Sequence, residues 1–251
     1  MIYKNIHKFL ENEQNKNIIF CVSNYQPYLL VENLIYSGLN HNIKITLFAL
    51  DKKIAKYINK KFNNEINVVL YRNNQNEQNK VYQFGSKEWT TIVFFRYFIT
   101  HEILKYNKNV IYCDTDIVIE KNFIKHINSK LKNNELIFQS NKVTCCTGFF
   151  AVKPNNFLID FFSEENFNNL NYKKYGGDGG LSDQKFINKH LYILKKNKIK
   201  IKILDINIYP NGKHYYNNYK NLNNIFIIHF NCLKGNEKKI QKMKKHNKFY
   251  I

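Results

Sequence analysis

Two aspartates one residue apart, Asp114 and Asp116, interrupt the apolar stretch "VIYCDTDIVIE" at 110–120. In an extended strand, residues i and i+2 project to the same face, so extension continued through Thr115 would bring both carboxylates to one point. Like charges held that close repel, and a cation between them relieves the repulsion. Hard oxygen ligands at the carboxyl end of an α/β strand suit Mn2+ or Mg2+, which keep positions open for phosphate oxygens. The chemistry expected is a metal bracket for a diphosphate. The competing reading makes Asp114 a turn cap and Asp116 a solvated surface acid.

Arg96 stands out by scarcity. It and Arg72 are the only arginines in a chain that otherwise uses lysine. An arginine inside "VFFRYF" points to bidentate geometry toward phosphate or carboxylate, the alternative being a structural ion pair to a buried acid. Asp51 follows an apolar run and can either cap a helix or face a ligand. "LSDQKFINKH" has helix-start character, with Asp183 or Ser182 as the cap. Just before it, "YGGDGGLSDQ" holds four of the nine glycines, a concentration that suits a mobile or tightly turned loop beside a site.

Such residues need strands that end in one place. "NKNIIFCVSNYQ" reads as a strand feeding a loop, "YLLVENLIYSGLN" as a helix, "IKITLFALD" as a strand, "KKIAKYINKKF" as a helix and "INVVLYR" as a strand. This alternation is the pattern of a parallel sheet with helices on its faces. A polar loop at 73–80 and a long helix from Trp89 to Tyr106 precede the aspartate strand. After it the expected order is a helix ("NFIKHINSKL"), two strands ("ELIFQS", "TGFFAVKP"), one helix over "NNFLIDFFSEENF", and late strands in "IKIKILDINIYPNG" and "NIFIIHFN". The basic tail "KGNEKKIQKMKKHNK" reads as a solvated helix face. No internal repeat or linker divides the chain, so one domain is expected.

Composition limits the function classes. With 251 residues, 44% of them hydrophobic, the chain can bury a sizeable core, and 20 Phe and 18 Tyr against 9 Gly and 3 Pro argue against disorder or a fibre. Heavy use of Asn, Lys, Ile and Tyr fits an AT-rich coding genome, a viral one included, which makes part of the lysine excess mutational. A net charge of +20 favours anionic partners. The lysines are not organised around an RNA-binding motif, so no nucleic-acid partner is expected. Five cysteines, an odd number lying in or beside apolar runs, read as reduced core residues of an intracellular protein. There is no apolar leader and no run of about 18 apolar residues, so a cytoplasmic protein without a transmembrane segment is expected, in the host cytoplasm if the genome is viral.

The longer segment "FFRYFITHEILKYNKNVIYCDTDIVIEKNF" resembles the part of GT-A-fold glycosyltransferases that carries their D-x-D motif, both the glycogenin-like enzymes and the nucleotide-diphospho-sugar transferases of the plant cell-wall type. "TGFFAVKPN", "LSDQKFIN", "YPNGKHYY" and "HFNCLKGNEKKIQKMKKHNKFY" follow in the family's order, so the likeness spans roughly Cys21 to Tyr250. It implies an α/β fold of GT-A (Rossmann-like) type, a mixed, mostly parallel sheet flanked by helices in a single domain. Residues 1–116 would form a nucleotide-binding half, and 117–251 an acceptor half with a C-terminal lid.

The same resemblance implies that Asp114 and Asp116 hold Mn2+ or Mg2+ with His229 as third ligand. Without it, His229 would read as a core histidine. Val22, Ser23, Asn24 and Asp51, at the ends of the first two strands, would seat the nucleotide. Thr115 and Arg96 would face the donor; Gly235 and Lys239 would meet its diphosphate, with Lys234 and Lys238 as nearby alternatives. Asp183 and Gln184 would be the catalytic pair beside the acceptor and the transferred sugar. The implied reaction is metal-dependent transfer of a sugar from a nucleotide diphosphate, a UDP-sugar in particular, to a glycan or protein acceptor with retention of anomeric configuration. Cys232 where the family has an aromatic, Phe249 in place of a late Trp, and Thr147 before the glycine of "TGFF" depart from the pattern around the acceptor pocket and lid. A basic nucleic-acid-binding module and an inactive protein of the same fold are the competing classes.

Overall fold

A computed structural model describes residues 2–71, 86–175 and 182–251. The polar loop at 73–80 and most of the glycine-rich segment lie outside them. The first described residues form an edge strand β1 (Ile2–Tyr3) and a helix α1 (Ile6–Asn12). Asn5 caps α1 by accepting the His7 N–H, and Ile6, Phe9 and Leu10 bury one face at helical spacing. Next come β2 (Asn17–Ser23), α2 (Tyr28–Leu39), β3 (Thr46–Ala49), α3 (Lys52–Lys61), β4 (Val68–Leu70), α4 (Lys87–Lys105) and β5 (Asn109–Cys113), the expected alternation.

The second part contains β6 (Ile117–Ile119), α5 (Ile124–Leu131), β7 (Leu136–Ser140), β8 (Cys145–Val152), α6 (Asn156–Phe161), α7 (Glu164–Asn169), α8 (Ser182–Lys196), β9 (Ile201–Ile203), α9 (Gly212–Asn218), β10 (Ile227–His229) and α10 (Asn236–Lys245). Two expectations are corrected. The single helix over "NNFLIDFFSEENF" is two, because Ser163 turns extended and its hydroxyl accepts the Asn166 N–H, restarting the helix as α7. The long late strand shrinks to Ile201–Ile203, its remainder running through turns to the cap of α9.

Eight strands form one sheet in the order β1-β4-β3-β2-β5-β8-β7-β9. Every pairing is parallel except those of β8, which runs antiparallel to both β5 and β7. The central strands are apolar on both faces because each face is covered. Ile18, Phe20, Val110 and Tyr112 pack with α1, α4 and α6–α8, whereas Ile19, Cys21, Ile111 and Cys113 pack with α2, α3 and α5. At the carboxyl end, β6 leaves the sheet and pairs antiparallel with β10, so that Ile117 faces His229. The basic tail is docked rather than free-standing, with Met243 of α10 buried against Leu30, Val118 and Phe230.

All five cysteines are free. Four are buried as expected, but Cys232 is exposed, in the loop after β10. Among the described residues no helix is long and apolar enough to cross a membrane.

Candidate active site

The chain does not stay extended through Thr115. Asp114 follows β5 and opens a turn in which the Ile117 N–H donates to the Asp114 carbonyl at 3.1 Å. The Asp114 N–H donates to Gly148 O at 2.7 Å, and the Phe230 N–H to Asp116 O at 2.9 Å, fixing both ends of the turn. The two carboxylates converge, with Thr115 half-buried between them, because the chain reverses into β6 and not through strand alternation.

His229 reaches the same point from β10. Its Nε2 lies 3.1 Å from Asp116 Oδ1 and 3.6 Å from Asp114 Oδ2. One ligand atom from each of the three residues falls within 4.8 Å of the others. Space for this meeting comes from Gly148, where an added Cβ would stand 2.1 Å from His229 Cε1 and 2.7 Å from Asp114 Oδ2. Two carboxylates and an imidazole, sunk between strands, form a donor set that fits a divalent cation.

Fixed cations surround the acids. Lys239 Nζ lies 2.7 Å from Asp116 Oδ2. Arg96 Nη1 lies 3.0 Å from Asp114 Oδ1 and 3.5 Å from Asp183 Oδ2, and also donates to Thr147 O at 3.3 Å. Arg96 thus serves two carboxylates through one nitrogen, the buried ion pair rather than the bidentate fork. Its Nε donates to Val93 O at 2.7 Å, and its guanidinium lies over the Tyr112 ring at 4.6 Å. The Tyr112 hydroxyl donates to Asp114 Oδ1 at 2.6 Å.

Asp183 does not cap its helix. It sits in the first turn of α8, and its carboxylate turns into the protein to accept from Thr147 Oγ1 at 2.9 Å and Tyr97 Oη at 3.2 Å. Gln184 beside it is half-buried. Asp51, by contrast, is a cap: Oδ1 accepts the Ile54 N–H at 2.8 Å and Oδ2 the Tyr25 N–H at 2.7 Å, tying α3 to the loop after β2. Val22 and Ser23 end β2, and the Ser23 hydroxyl donates to Asn24 O. Gly235 precedes α10 with φ +86°, where a side chain would be strained although nothing lies within 4 Å of an added Cβ. Around it, Lys234 and Lys238 line a cleft of about 460 Å3 against Gln26 and Tyr28 at the start of α2.

The environment splits the two aspartates. Burial pushes the Asp114 carboxyl up against the pull of Arg96, and Asp116 adds to the rise. Burial acts the same way on Asp116 but is overcome by Lys239 and His229, which hold it well below the usual carboxylate range. His229 in turn is raised by Asp116 despite its burial.

Sequence reasoning did not single out Gln139, Tyr97 or Tyr112, all of which touch the site residues. The signal open to it was a glutamine inside the apolar strand "ELIFQS", since a polar side chain there must find partners.

Residues 40–243 match the family profile of nucleotide-diphospho-sugar transferases. A UDP-galactose:fucoside alpha-3-galactosyltransferase of Dictyostelium discoideum is 25% identical over 213 residues, covering 73% of this chain and 32% of its own, so the chain spans about a third of that relative's length. The glycosyltransferase GlyE of Streptococcus pneumoniae TIGR4 superposes on 95% of this chain and 65% of its own with a TM-score of 0.57 at 14% identity. The galactosyltransferase LgtC, solved in complex with donor and acceptor sugar analogs, covers 91% of this chain and 95% of its own with a TM-score of 0.55 at 12% identity. The mixed sheet, with its aspartate turn at the carboxyl end of β5, is therefore a GT-A fold. Because the matched residues run from the C-cap of α2 into α10 and include both aspartates and His229, the chain belongs to the nucleotide-diphospho-sugar transferase family of glycosyltransferases.

Proposed function

We propose that this protein is a metal-dependent glycosyltransferase that moves a sugar from a UDP-sugar to a glycan or protein acceptor with retention of anomeric configuration. The observation that carries the reading is the meeting of Asp114, Asp116 and His229 beside Lys239, in space that only a glycine at 148 leaves open. Mn2+ or Mg2+ held by these three residues would supply positive charge to the departing nucleoside diphosphate. The uridine donor is suggested by the name of the Dictyostelium relative.

The chain's own residues take the remaining tasks. Val22, Ser23 and Asn24 seat the base at the end of β2, with Asp51 holding that loop in place through Tyr25. Lys239, now 2.7 Å from Asp116 Oδ2, exchanges that partner for a phosphate oxygen, and Gly235 gives the chain the turn that starts α10 as a lid. Arg96 sets one nitrogen between the carboxylates of Asp114 and Asp183 and so holds both side chains in position. Asp183 and Gln184 steady the positive charge that develops on the sugar or orient the acceptor, which attacks from the face the leaving group vacates.

Incubation with Mn2+ and a panel of UDP-sugars, followed by assay of released UDP, tests the reading. Release with one donor, abolished by EDTA and restored by Mn2+, is the expected result. Equal release in EDTA, or none with any donor in Mn2+ or Mg2+, counts against it. The coupling constant of the new anomeric proton then decides retention.

A further inference from the structure

Gln139, in β7, is completely buried and lies behind His229 rather than in the cleft. The register of β7 against β8 slips between Phe138 and Gln139, which frees Thr147, Gly148 and Phe149 from that pairing and turns Gln139 toward β10. Its Nε2 donates to two backbone carbonyls, Tyr209 O at 3.1 Å and Pro210 O at 3.0 Å. Those two acceptors fix the amide, because a flipped amide would set its oxygen against two carbonyl oxygens. The Oε1 that remains lies 2.9 Å from His229 Nδ1. Since Oε1 can only accept, Nδ1 must carry a proton. The other neighbour of Nδ1, Cys146 Sγ at 3.7 Å, is a weak partner at that distance.

We infer that Gln139 is a positioning residue for metal binding: its amide holds the proton of His229 on Nδ1 and aims the Nε2 lone pair at the point where Asp114 and Asp116 converge. Ligating histidines are commonly oriented through their second nitrogen, and loss of such a partner costs about 10- to 100-fold in metal affinity. The strand slip, the two carbonyls and the histidine thus form one chain of cause, from backbone geometry to ligand orientation. The inference rests on the metal site proposed above.

Mn2+ titration followed by the electron paramagnetic resonance signal of free Mn2+ tests it, comparing the unmodified protein with Gln139→Met, which fills the space but cannot accept. Mn2+ affinity should fall about 10- to 100-fold in Q139M. In the unmodified, Mg2+-saturated protein labelled with 15N-histidine, long-range 1H–15N spectra should show the His229 proton on Nδ1. Affinity within twofold of the unmodified protein in a folded Q139M overturns the inference alone. A proton on Nε2 overturns it too, and decides the matter if Q139M does not fold. Absence of Mn2+ binding by the unmodified protein overturns the metal reading and this inference with it.

Discussion

Two groups of buried carboxylates can be set side by side. Glu32, on α2, is 2% exposed; its Oε2 accepts from the Tyr57 hydroxyl at 2.6 Å, and Lys61 Nζ lies 3.0 Å from Oε1. One acid has one cation and one hydroxyl, and neither partner is shared with another acid in the cluster. At the carboxyl end of β5, three acids crowd together. Arg96 divides one nitrogen between Asp114 and Asp183, and His229 divides Nε2 between Asp114 and Asp116. Burial and ion pairing are common to both clusters, so neither marks a site. What separates them is convergence: the second arrangement sets acids against one another, which is costly unless a further cation joins.

Removing an acid should therefore disturb metal binding in one place and only stability in the other. Asp114→Asn or Asp116→Asn should abolish Mn2+ binding and lower UDP-sugar turnover by about 10³-fold or more, read by calorimetry and UDP release. The two variants should then part in stability. Asp114 is pushed up by burial, so its neutralisation should leave Tm nearly unchanged, whereas Asp116 is held low by Lys239 and His229 and its loss should lower Tm. A depressed folded value gives stability that is present above the unfolded value of about 3.9 and lost as pH falls below it. In metal-free buffer, the unmodified protein should thus lose more Tm than Asp116→Asn between pH 7 and pH 3. Equal losses would show that the two acids are not split.

Asp183→Asn should lower turnover by about 10²-fold while donor Kd stays within about threefold if, as proposed, the acid acts on the reacting groups and not on the nucleotide. Its carboxylate turns to Thr147 and Tyr97, so a variant with reduced Tm and normal turnover would return Asp183 to a purely structural part. Lys239→Ala should move two readings in opposite directions. Mn2+ alone should bind more tightly, by about tenfold, because the lysine no longer competes for Asp116 Oδ2, whereas UDP plus Mn2+ should bind less tightly. Weakening of both would mean that Lys239 does not compete with the cation.

The sequence carried the fold further than the geometry of the site. Strands β2, β3 and β5 were legible because each is a short apolar run closed by polar residues, and runs buried on both faces signal a covered sheet. The N-terminal helix was missed although Asn5, Ile6, Phe9 and Leu10 carry both its cap and its spacing; seven residues give too short a window for periodicity to stand out. Asp114 and Asp116 were legible as a pair but not as a turn, because the reversal depends on β6 pairing with β10, more than a hundred residues later. Asp183 could be placed on a helix start, but the direction of its carboxylate is set by Thr147 and Tyr97. Gln139 depends likewise on two carbonyls of a loop some 70 residues away. Local order was written locally, while the convergence that makes the site came from contacts no single segment contains.

The smallest expected effect is the control that gives the comparison its force. Glu32→Gln keeps an oxygen for the Tyr57 hydroxyl and nearly the same volume, but turns a charge-assisted bond into a neutral one and deprives Lys61 of its partner. Hydrogen bonds to charged groups are worth about 1.5–3 kcal/mol and neutral ones about 1, so the exchange should cost about 1 kcal/mol. For a chain of this size that is a fall in Tm of about 2–4 °C. Lys61 is exposed, and its loss of a partner adds little because water screens it. Among the described residues no hydrogen bond or ion pair joins Glu32, Tyr57 or Lys61 to the aspartate turn, so Mn2+ affinity and turnover should stay within twofold of the unmodified protein. A fall in Mn2+ affinity in Glu32→Gln as large as in Asp114→Asn would mean that buried charge of any kind supports the site. The distinction between a satisfied acid and a converging one would then have to be abandoned.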